Sequence, residues 1–471
     1  MSGGRHYVVN LAAQFVGRAL SVGSGLLVFV LVARGLGAEA FGRYSYVLAY
    51  LGVLVVIAEF GTTAVLARGI AQVRTEREVY WGNFLLVRLG LALLGGMLGA
   101  GLAPWVRPDL APYLLAGAVS LPALGSRFYE PVFQVCNRPW DSTLSSSLYA
   151  VAHVLGVAAA LRLWGSLPAV FAAYLLANLL YAVLAFRLSL RSLRPRFQPR
   201  RAILASLLKL AAPIGVGTVF VTLNTRADVF LLAWLQSDTA VGLYSAAFRF
   251  YDLGAVLAVI FATPLFPIFA DRATGDRAAL KQLYVRIHEL VAIALLPVAL
   301  LTPLVSSDVM ALAFGDRFRP AGPVLDALAW AAILIFYAQL SSALNLAVGD
   351  VTHAYWNGAL AAALNIGLNL AWIPSRSYFG AAWATLLSDG LLVGVSQAYM
   401  LRNLGNVFRA ARWFGIAMAS LALLAVARSG LLEEHRLLAA AGGLAAYGLT
   451  AWLLGLVRIS DLALLAPRPG R

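Results

Sequence analysis

Charged residues are scarce in this sequence of 471 residues. Asp, Glu, Lys and Arg together account for 12% of the chain, whereas hydrophobic residues account for 61% and the mean hydropathy is +0.81. So few polar side chains cannot cover the surface of a soluble domain. Because a membrane-spanning helix needs about 20 apolar residues, the composition predicts a polytopic membrane protein with roughly a dozen or more spans.

Cysteine and catalytic motifs are almost absent as well. The single cysteine, Cys136, excludes an intrachain disulfide and a thiolate metal cluster. No G-x-S-x-G elbow, H-E-x-x-H helix or phosphate-binding glycine loop occurs in a suitable context. A membrane-embedded glycosyltransferase or polymerase needs a sizeable loop outside the bilayer, and the predicted loops are short. We therefore predict no enzyme activity, no cofactor and no metal site.

Lysine is rare, since 34 of the 36 basic residues are Arg. The net charge of +15 is compatible with nucleic acid or with a membrane surface. The basic residues occur singly or in short groups between apolar runs and alternate in density, as the positive-inside rule requires of a helical membrane protein. This distribution argues against nucleic acid as a partner and predicts that both termini are cytoplasmic.

The sequence contains fourteen apolar runs that are long enough to cross a membrane, separated by short turns rich in Gly, Pro and charge. The runs lie at 10–33, 41–67, 81–104, 110–136, 143–164, 167–188, 203–235, 240–269, 283–304, 322–348, 354–374, 378–401, 410–427 and 435–457. We therefore predict an all-α polytopic membrane protein with about 14 transmembrane helices.

Two stretches near the start of the chain recur about 200 residues later. "NLAAQFVG" from Asn10 matches "KLAAPIGVG" from Lys209, and "AFGRYSYVL" from Ala40 matches "AVGLYSAAF" from Ala240. Spans 1–6 and 7–12 thus form two copies, and both enter the membrane in the same direction because six is an even number. Transporters built from parallel repeats hold their substrate near the midplane, between the halves.

The repeat predicts two pseudo-symmetric six-helix lobes followed by two C-terminal helices. The predicted parts are an N-terminal lobe at 1–190, a cytoplasmic linker at 191–202, a C-terminal lobe at 203–402, and spans 13 and 14 with a cytoplasmic tail at 403–471. The linker contains "RSLRPRFQPRR", the densest basic cluster in the chain, and the positive-inside rule places it in the cytoplasm.

Charges inside spans are functional candidates, because each costs about 2.5–3.5 kcal/mol at the bilayer centre. In span 1, Asn10, Gln14 and Arg18 fall within an arc of about 80° and form one polar stripe on an apolar helix. This stripe must face the protein interior. Arg18 has no acidic partner in its own span, so a counter-charge must come from another helix, water or substrate. It is the leading functional candidate.

Other intramembrane charges leave functional and structural interpretations open. Arg226 shares an arc of span 7 with three threonines, while Asp228 lies on another face of that helix. Arg249 and Asp252 in span 8 are three residues apart and can form an ion pair without any role in transport. Glu59 is an isolated acid within span 2, suited to carrying a proton or binding sodium.

Two further pairs of residues favour structural interpretations. Arg127 and Glu130 in span 4 have the spacing of an ion pair on one helix face. Arg88 and its repeat mate Arg286 lie near predicted cytoplasmic span ends, where we expect their long side chains to snorkel towards the headgroups.

The most distinctive stretch is "LNIGLNLAWIPSRSYFGAAWATLLSD", from Leu364 to Asp389. Together with "FGDRFRPAGPVLDALA" from Phe314, "AVGLYSAAFRF" from Ala240 and "EFGTTAVLAR" from Glu59, it resembles the polysaccharide flippases of the multidrug/oligosaccharidyl-lipid/polysaccharide exporter superfamily. The resemblance covers the whole chain. It implies two six-helix lobes in a V shape that alternate between inward-open and outward-open states, with spans 1, 2, 7 and 8 lining a central cavity.

The resemblance also implies a function: moving undecaprenyl-diphosphate-linked oligosaccharides across the cytoplasmic membrane for cell-surface polysaccharide assembly. Guanidinium groups pair bidentately with phosphate and carboxylate oxygens, so arginines on the cavity-lining spans suit such a cargo. The candidate substrate-binding residues are Arg18, Asn10, Gln14, Arg226 and Arg249, and the candidate coupling residues are Asp228, Asp252 and Glu59. Membrane potential alone is the alternative driving force.

Two other transport functions remain open. A drug/cation antiporter of the same superfamily should concentrate acids in its cavity, whereas spans 1, 7 and 8 offer three Arg against two Asp. A peptidoglycan-precursor flippase fits the physical chemistry nearly as well. For all three we expect a monomer in the cytoplasmic (inner) membrane with the bilayer and its lipid-linked cargo as partners. A polysaccharide polymerase and glycosyltransferases are candidate partners of the first.

Overall fold

The computed structural model describes residues 2–72, 76–273, 275, 277–349, 351–406, 408–429 and 436–457; within these, the side chains of 2–19, 67, 71–72, 351–355 and 437 are outside the description. The described chain is helical and contains no strand. Its helices are α1 (Ser2–Glu59), α2 (Thr62–Gln72), α3 (Arg77–Val106), α4 (Ala111–Val119), α5 (Leu121–Leu124), α6 (Tyr129–Val135), α7 (Pro139–Leu163), α8 (Leu167–Ser192), α9 (Arg201–Leu235), α10 (Asp238–Ala262), α11 (Leu265–Ala273), α12 (Arg277–Phe314), α13 (Gly322–Val348), α14 (Val351–Leu404), α15 (Ala410–Ala427) and α16 (Arg436–Leu453).

These helices account for fourteen membrane crossings within the described residues. Two apolar stretches, Leu20–Ile70 and Trp356–Leu404, contain 51 and 49 residues, and a crossing needs only about 20. Each folds back once, at Gly37 (φ 81°) in α1 and at Ser377 (φ 50°) in α14. The short helices α4, α5 and α6 follow one another as a single interrupted crossing. The predicted all-α fold with about 14 spans is confirmed.

The helix interruptions recur at a spacing of about 200 residues, which supports the predicted duplication. The turn at Gly37 corresponds to the non-helical Ser237 between α9 and α10. The interruption at 60–61, between α1 and α2, corresponds to the one at 263–264, between α10 and α11. Helices α3 and α12 then begin at Arg77 and Arg277. Each copy therefore repeats the same order of hairpin, interrupted helix and long helix.

The chain forms two compact units, residues 1–242 and 243–471. In the first, buried aromatic rings from α3 and α6 pack together. Trp81 stacks on Phe84 with ring centroids 5.5 Å apart and meets Tyr129 edge-on at 5.8 Å. Helix α9 also packs in this unit, against α1, α2 and α3. The division into a lobe at 1–190 and a lobe at 203–402 stays a prediction.

The segment between α8 and α9 is bound to the start of α3. The Asn83 side chain donates to the carbonyl of Gln198 at 2.8 Å and accepts from the backbone N–H of Arg200 at 2.9 Å. A methyl group on Gly82 would lie 2.1 Å from the carbonyl oxygen of Arg196, so only glycine lets this segment approach. The predicted linker therefore has a fixed course across the first unit.

Helices α15 and α16 pack on α12 in the second unit. Ile416, Leu423 and Tyr447 belong to one buried apolar cluster with Ile293, and the Tyr447 hydroxyl donates to the Ile293 carbonyl at 3.0 Å. Arg286 is 4% exposed and donates to the carbonyl of Leu456, just beyond α16, at 2.8 Å. The two C-terminal helices thus share a core with the second copy.

A buried ion cluster completes this attachment. Glu289, with 1% of its side chain exposed, lies 2.9 Å from Arg286 and 3.5 Å from Arg412 of α15. Replacing Glu289 by alanine removes the carboxylate beside the buried Arg286 and the partly buried Arg412, and removing one partner of a buried pair costs about 3–5 kcal/mol. We expect Glu289→Ala to lower the thermal unfolding temperature of the purified protein markedly. Glu78→Ala, at an exposed carboxylate of α3, is the control and should leave the unfolding temperature nearly unchanged. Equal effects of the two substitutions would contradict a stabilising role for the buried ion cluster.

The two repeated glycines pack against each other. A methyl on Gly42 would lie 1.8 Å from the carbonyl oxygen of Asp238, and one on Gly242 would lie 2.0 Å from that of Ala38. These contacts are related by the repeat, since Ala38 and Asp238 occupy equivalent positions. The duplicated hairpins therefore fit together backbone to backbone.

This contact predicts that Gly42 tolerates no side chain. Gly42→Ala should destabilise the protein by at least the roughly 1–3 kcal/mol typical of an overpacked site. Gly52→Ala in the same helix is the control. A methyl there meets nothing within 4 Å, so it should be neutral or stabilise slightly. Thermal unfolding of both variants in detergent tests this, and a stable Gly42→Ala protein would refute the close packing.

Candidate functional site

The three residues of the predicted span 1 stripe, Asn10, Gln14 and Arg18, lie in α1 but outside the described side chains. Their roles stay predictions. The other predicted site residues are described, and they fall in both compact units: Glu59, Arg226 and Asp228 in the first, Arg249 and Asp252 in the second.

Helix α9 presents the predicted threonine stripe at an exposed surface. Thr218 and Thr225 are exposed, and their hydroxyls donate to the carbonyls of Ile214 at 2.8 Å and Thr222 at 3.0 Å. Arg226 is half-buried. Asp228 is 5% exposed and therefore belongs to the packed side of the helix. Exposing an intramembrane cation to lipid has a large free-energy cost. The Arg226 face of α9 must therefore contact water, another part of the protein or a ligand.

Arg249 and Asp252 of α10 form the ion pair that their spacing predicted. The guanidinium and carboxylate are 3.0 Å apart, with 16% and 36% of the two side chains exposed. The neighbouring Tyr251 hydroxyl donates to Asp389 of α14 at 2.8 Å. The carboxylate of Asp252 thus largely neutralises the charge of Arg249. This pairing favours the structural interpretation and weakens the attraction of Arg249 for an anionic ligand.

Arg88 is buried and does not snorkel, contrary to the prediction. It is 5% exposed, and it donates to the carbonyls of Ala58 at 3.0 Å and Gly125. Its guanidinium also lies over the Phe128 ring, 4.8 Å from the centroid. Both carbonyls lie next to helix interruptions, where backbone acceptors lack their helical donors. Arg88 therefore stabilises two interrupted helices.

Glu59 lies at the last position of α1, beside one of these interruptions. The chain turns there through two residues with positive φ, Phe60 (39°) and Gly61 (71°). A methyl on Gly61 would lie 2.7 Å from the backbone nitrogen of Gly215 in α9. The position of Glu59 is thus fixed by a strained turn packed on another helix, and Glu59 lines a cavity of about 230 Å³.

A charged cluster joins the start of α10 to the N-terminal copy. Asp238 accepts from Arg43 at 3.0 Å and from Arg107 at 3.0 Å, and Arg107 also pairs with Asp109 at 2.8 Å. This hydrogen bond lowers the pKa of the Asp109 carboxyl below its ordinary value. Sequence reasoning missed this cluster, because its charges lie in turns far apart in the chain. The repeated hairpins were the only signal that these turns meet.

The Asp238 cluster predicts a measurable coupling. Asp238 and Arg107 keep only 12% and 17% of their side chains exposed, so the pair should contribute more than an exposed one. A double-mutant cycle with Asp238→Ala and Arg107→Ala should give a coupling of roughly 1–3 kcal/mol. The control pair is Arg319 and Asp308, with 51% and 42% exposed, which should give under about 1 kcal/mol. Equal couplings in the two cycles would argue against a special role for Asp238.

The described residues contain no group of three or more His, Cys, Asp or Glu side chains suited to a metal ion. The candidate site is instead a set of polar surfaces within spanning helices. On α9, the exposed Thr218 and Thr225 lie on the same helix as the half-buried Arg226, and the half-buried Glu59 ends α1 beside a helix interruption. This combination is typical of transporters, whose ligand sites use discontinuous helices.

A duplicated bundle of fourteen spanning helices with polar faces inside the spans defines the class as a polytopic, transporter-like membrane protein. The family model described as polysaccharide biosynthesis protein matches residues 7–272. The match covers more than half of the chain, and the chain belongs to this family.

A curated relative points the same way. The chain is 22% identical over 323 residues to the lipopolysaccharide biosynthesis protein WzxC of Escherichia coli (strain K12), in an alignment that covers 66% of this chain and 64% of WzxC. The match thus spans less than two thirds of that relative's length.

Solved structures share the fold. The lipid II flippase MurJ in an inward closed conformation has a TM-score of 0.76 at 15% identity, covering 96% of this chain and 100% of MurJ. An inward-facing multidrug resistance MATE family transporter of the MOP superfamily has a TM-score of 0.64 at 16% identity, with 85% and 98% covered. At these identities the likeness establishes the fold, and neither of the two structures is of an enzyme.

Proposed function

We propose that the protein is a flippase that moves polyprenyl-diphosphate-linked oligosaccharides across the cytoplasmic membrane for cell-surface polysaccharide assembly. The observation that carries this proposal is the Arg226 face of α9, a guanidinium among exposed threonines inside a spanning helix, in a chain of the polysaccharide biosynthesis family. Arginine suits a diphosphate because its planar donors pair with two oxygens at once.

Arg18, with Asn10 and Gln14, is the proposed second cationic surface. Its stripe on span 1 resembles that of α9 in combining one guanidinium with uncharged polar groups, which are amides on span 1 and hydroxyls on α9. In this proposal both termini are cytoplasmic and the protein works as a monomer, handing cargo to a polymerase on the outer side. Glu59, Asp228 and Asp252 remain the candidates for ion coupling.

A peptidoglycan precursor is the second candidate cargo, favoured by the structural likeness to a lipid II flippase. It presents the same chemistry, a polyprenyl diphosphate carrying sugars. A drug/cation antiporter has less support, because Asp252 is engaged by Arg249 and Asp228 is buried. Analysis of the lipid-linked intermediates that accumulate on deletion of the gene separates these functions. Polysaccharide repeat units support the proposal, peptidoglycan precursors support the second candidate, and no accumulation contradicts both.

The cationic surfaces predict graded effects of substitution. Arg226→Ala removes the charge, and losing a charged hydrogen-bonded contact of about 1.5–3 kcal/mol should lower export roughly tenfold to a hundredfold. Arg226→Lys keeps the charge but loses the bidentate geometry and should retain part of the activity. We expect the same order for Arg18→Ala and Arg18→Lys.

Export is measured in the deletion strain at matched membrane levels of each variant. Arg319→Ala is the control, since that guanidinium is exposed and bound to Asp308 and Asp316. Normal export by both alanine variants would remove the proposed anion-binding role. Absence of a variant from the membrane would assign that arginine to folding instead.

A further inference from the structure

A polar cavity within the first compact unit has a described lining that does not include Arg226. Its volume is about 230 Å³. It is lined by Val55, Glu59, Thr63, Leu124, Gly125, Arg127, Phe128, Glu130, Pro131 and Gln134. Half of this lining comes from α1 and α6, and the rest from the start of α2 and from residues just before α6 in the chain. The cavity thus lies where the two interrupted helices of the N-terminal copy meet.

The hydrogen bonds described at the interruptions that shape the cavity do not use its carboxylates. Arg88 is engaged by the carbonyls of Ala58 and Gly125. The Thr62 hydroxyl donates to the backbone carbonyl of Glu59 at 2.6 Å. Among the described residues, no hydrogen bond or ion pair is made by the Glu59 carboxylate itself. The charge of Glu59 acts on Arg88 through space only, so the hydrogen-bond acceptors of this half-buried carboxylate remain for whatever fills the cavity.

The opposite wall carries both donors and acceptors. The guanidinium of Arg127 is 3.9 Å from the carboxylate of Glu130, which is beyond hydrogen-bond distance, and 61% of the Arg127 side chain is exposed. Gln134, one turn further along α6, is also exposed. Exposed charged and amide groups inside a span do not face lipid. This part of the surface is therefore accessible to water or to a polar ligand.

The charges around the cavity leave no excess positive charge for an anion. Glu59 and Glu130 are balanced by Arg127 and by Arg88, whose charge interacts with that of Glu59, so a diphosphate would gain no net attraction there. A bare metal ion is disfavoured as well, because two guanidinium groups already lie near the carboxylates. A neutral ligand with many hydroxyls fits, since carboxylates accept from hydroxyls while a guanidinium and an amide donate to them. Val55, Leu124 and Pro131 give such a ligand apolar walls.

We propose that this cavity binds a sugar ring of the cargo, with Glu59 and Gln134 as its main hydrogen-bonding groups. The inference rests on the proposed function and extends it. The diphosphate binds at the arginine stripes of spans 1 and 7, and one sugar binds at the cavity between spans 2 and 4. Recognition of the sugar is then separate from recognition of the lipid diphosphate.

The test uses free sugars as probes on the full-length protein purified in detergent. Saturation-transfer NMR is recorded with glucose, galactose, N-acetylglucosamine and glucuronic acid. We expect transfer to at least one neutral sugar, reduced at least fivefold by Glu59→Leu and by Gln134→Leu. Glu59→Gln keeps the size and one acceptor, so it should keep part of the signal and also guards against loss of folding. Glu78→Gln, at an exposed carboxylate of α3, is the matched control and should match the native protein.

The outcomes separate the cavity from the function. If no sugar in the panel gives transfer to the native protein, or if both leucine variants bind normally, the sugar site is wrong. If sodium chloride displaces the sugar and Glu59→Gln abolishes that displacement, the cavity is a cation site and the proposal is overturned. The flippase function is tested separately, in the deletion strain. If the purified native protein binds no sugar but the native gene still clears the accumulated lipid-linked cargo, the sugar site is wrong and the flippase function stands. Failure of the native gene to clear any lipid-linked intermediate overturns the function itself.

Discussion

Burial of charge within apolar helices is the constraint on which this structure depends. An arginine inside a span must find partners, because lipid offers neither hydrogen bonds nor screening. The two repeat mates Arg88 and Arg286 satisfy it differently. Arg88 binds backbone carbonyls at two helix interruptions, whereas Arg286 binds Glu289 and the carbonyl of Leu456. One position in the repeat thus holds the interrupted helices together in the first copy and attaches the two extra helices in the second.

This divergence determines where polar groups stay exposed. In the second copy Glu289 is fully buried and pairs with two arginines, so its carboxylate is not accessible to a ligand. In the described part of the first copy no carboxylate forms an ion pair with Arg88, and Glu59, the acid nearest the interruption, acts on Arg88 through space and lines a cavity. The interruptions cost backbone hydrogen bonds that an unbroken helix would make. In transporters such interruptions are useful, because polar ligands can bind the exposed backbone groups of a broken helix within a span.

The number of spans and the duplication were predictable from the sequence, because apolar runs of about 20 residues and a motif repeated near 200 residues are local signals. The interruption at 60–61 and the division of span 4 into α4, α5 and α6 were not. Their apolar runs are continuous, and the turns are held by contacts distant in sequence: Arg88 binds the carbonyls of Ala58 and Gly125, and Gly61 packs on Gly215. For the same reason, position near a span end predicted snorkelling for Arg88 and Arg286, and both are buried.

The repeat keeps its backbone fit while its charges have diverged. Gly42 and Gly242 make equivalent contacts, each against the first-turn carbonyl of the other hairpin. The side chains around them are not equivalent: Asp238 corresponds to Ala38, and Arg43 corresponds to Leu243. Only one of the two possible ion clusters therefore exists, and Arg107 strengthens it from a third turn. Close glycine packing brings the hairpins together irrespective of charge, and the single cluster then adds an interaction that salt and pH can weaken. The position of this contact is therefore set by the packing of Gly42 and Gly242, whereas its strength also depends on the ion pairs of Asp238 with Arg43 and Arg107.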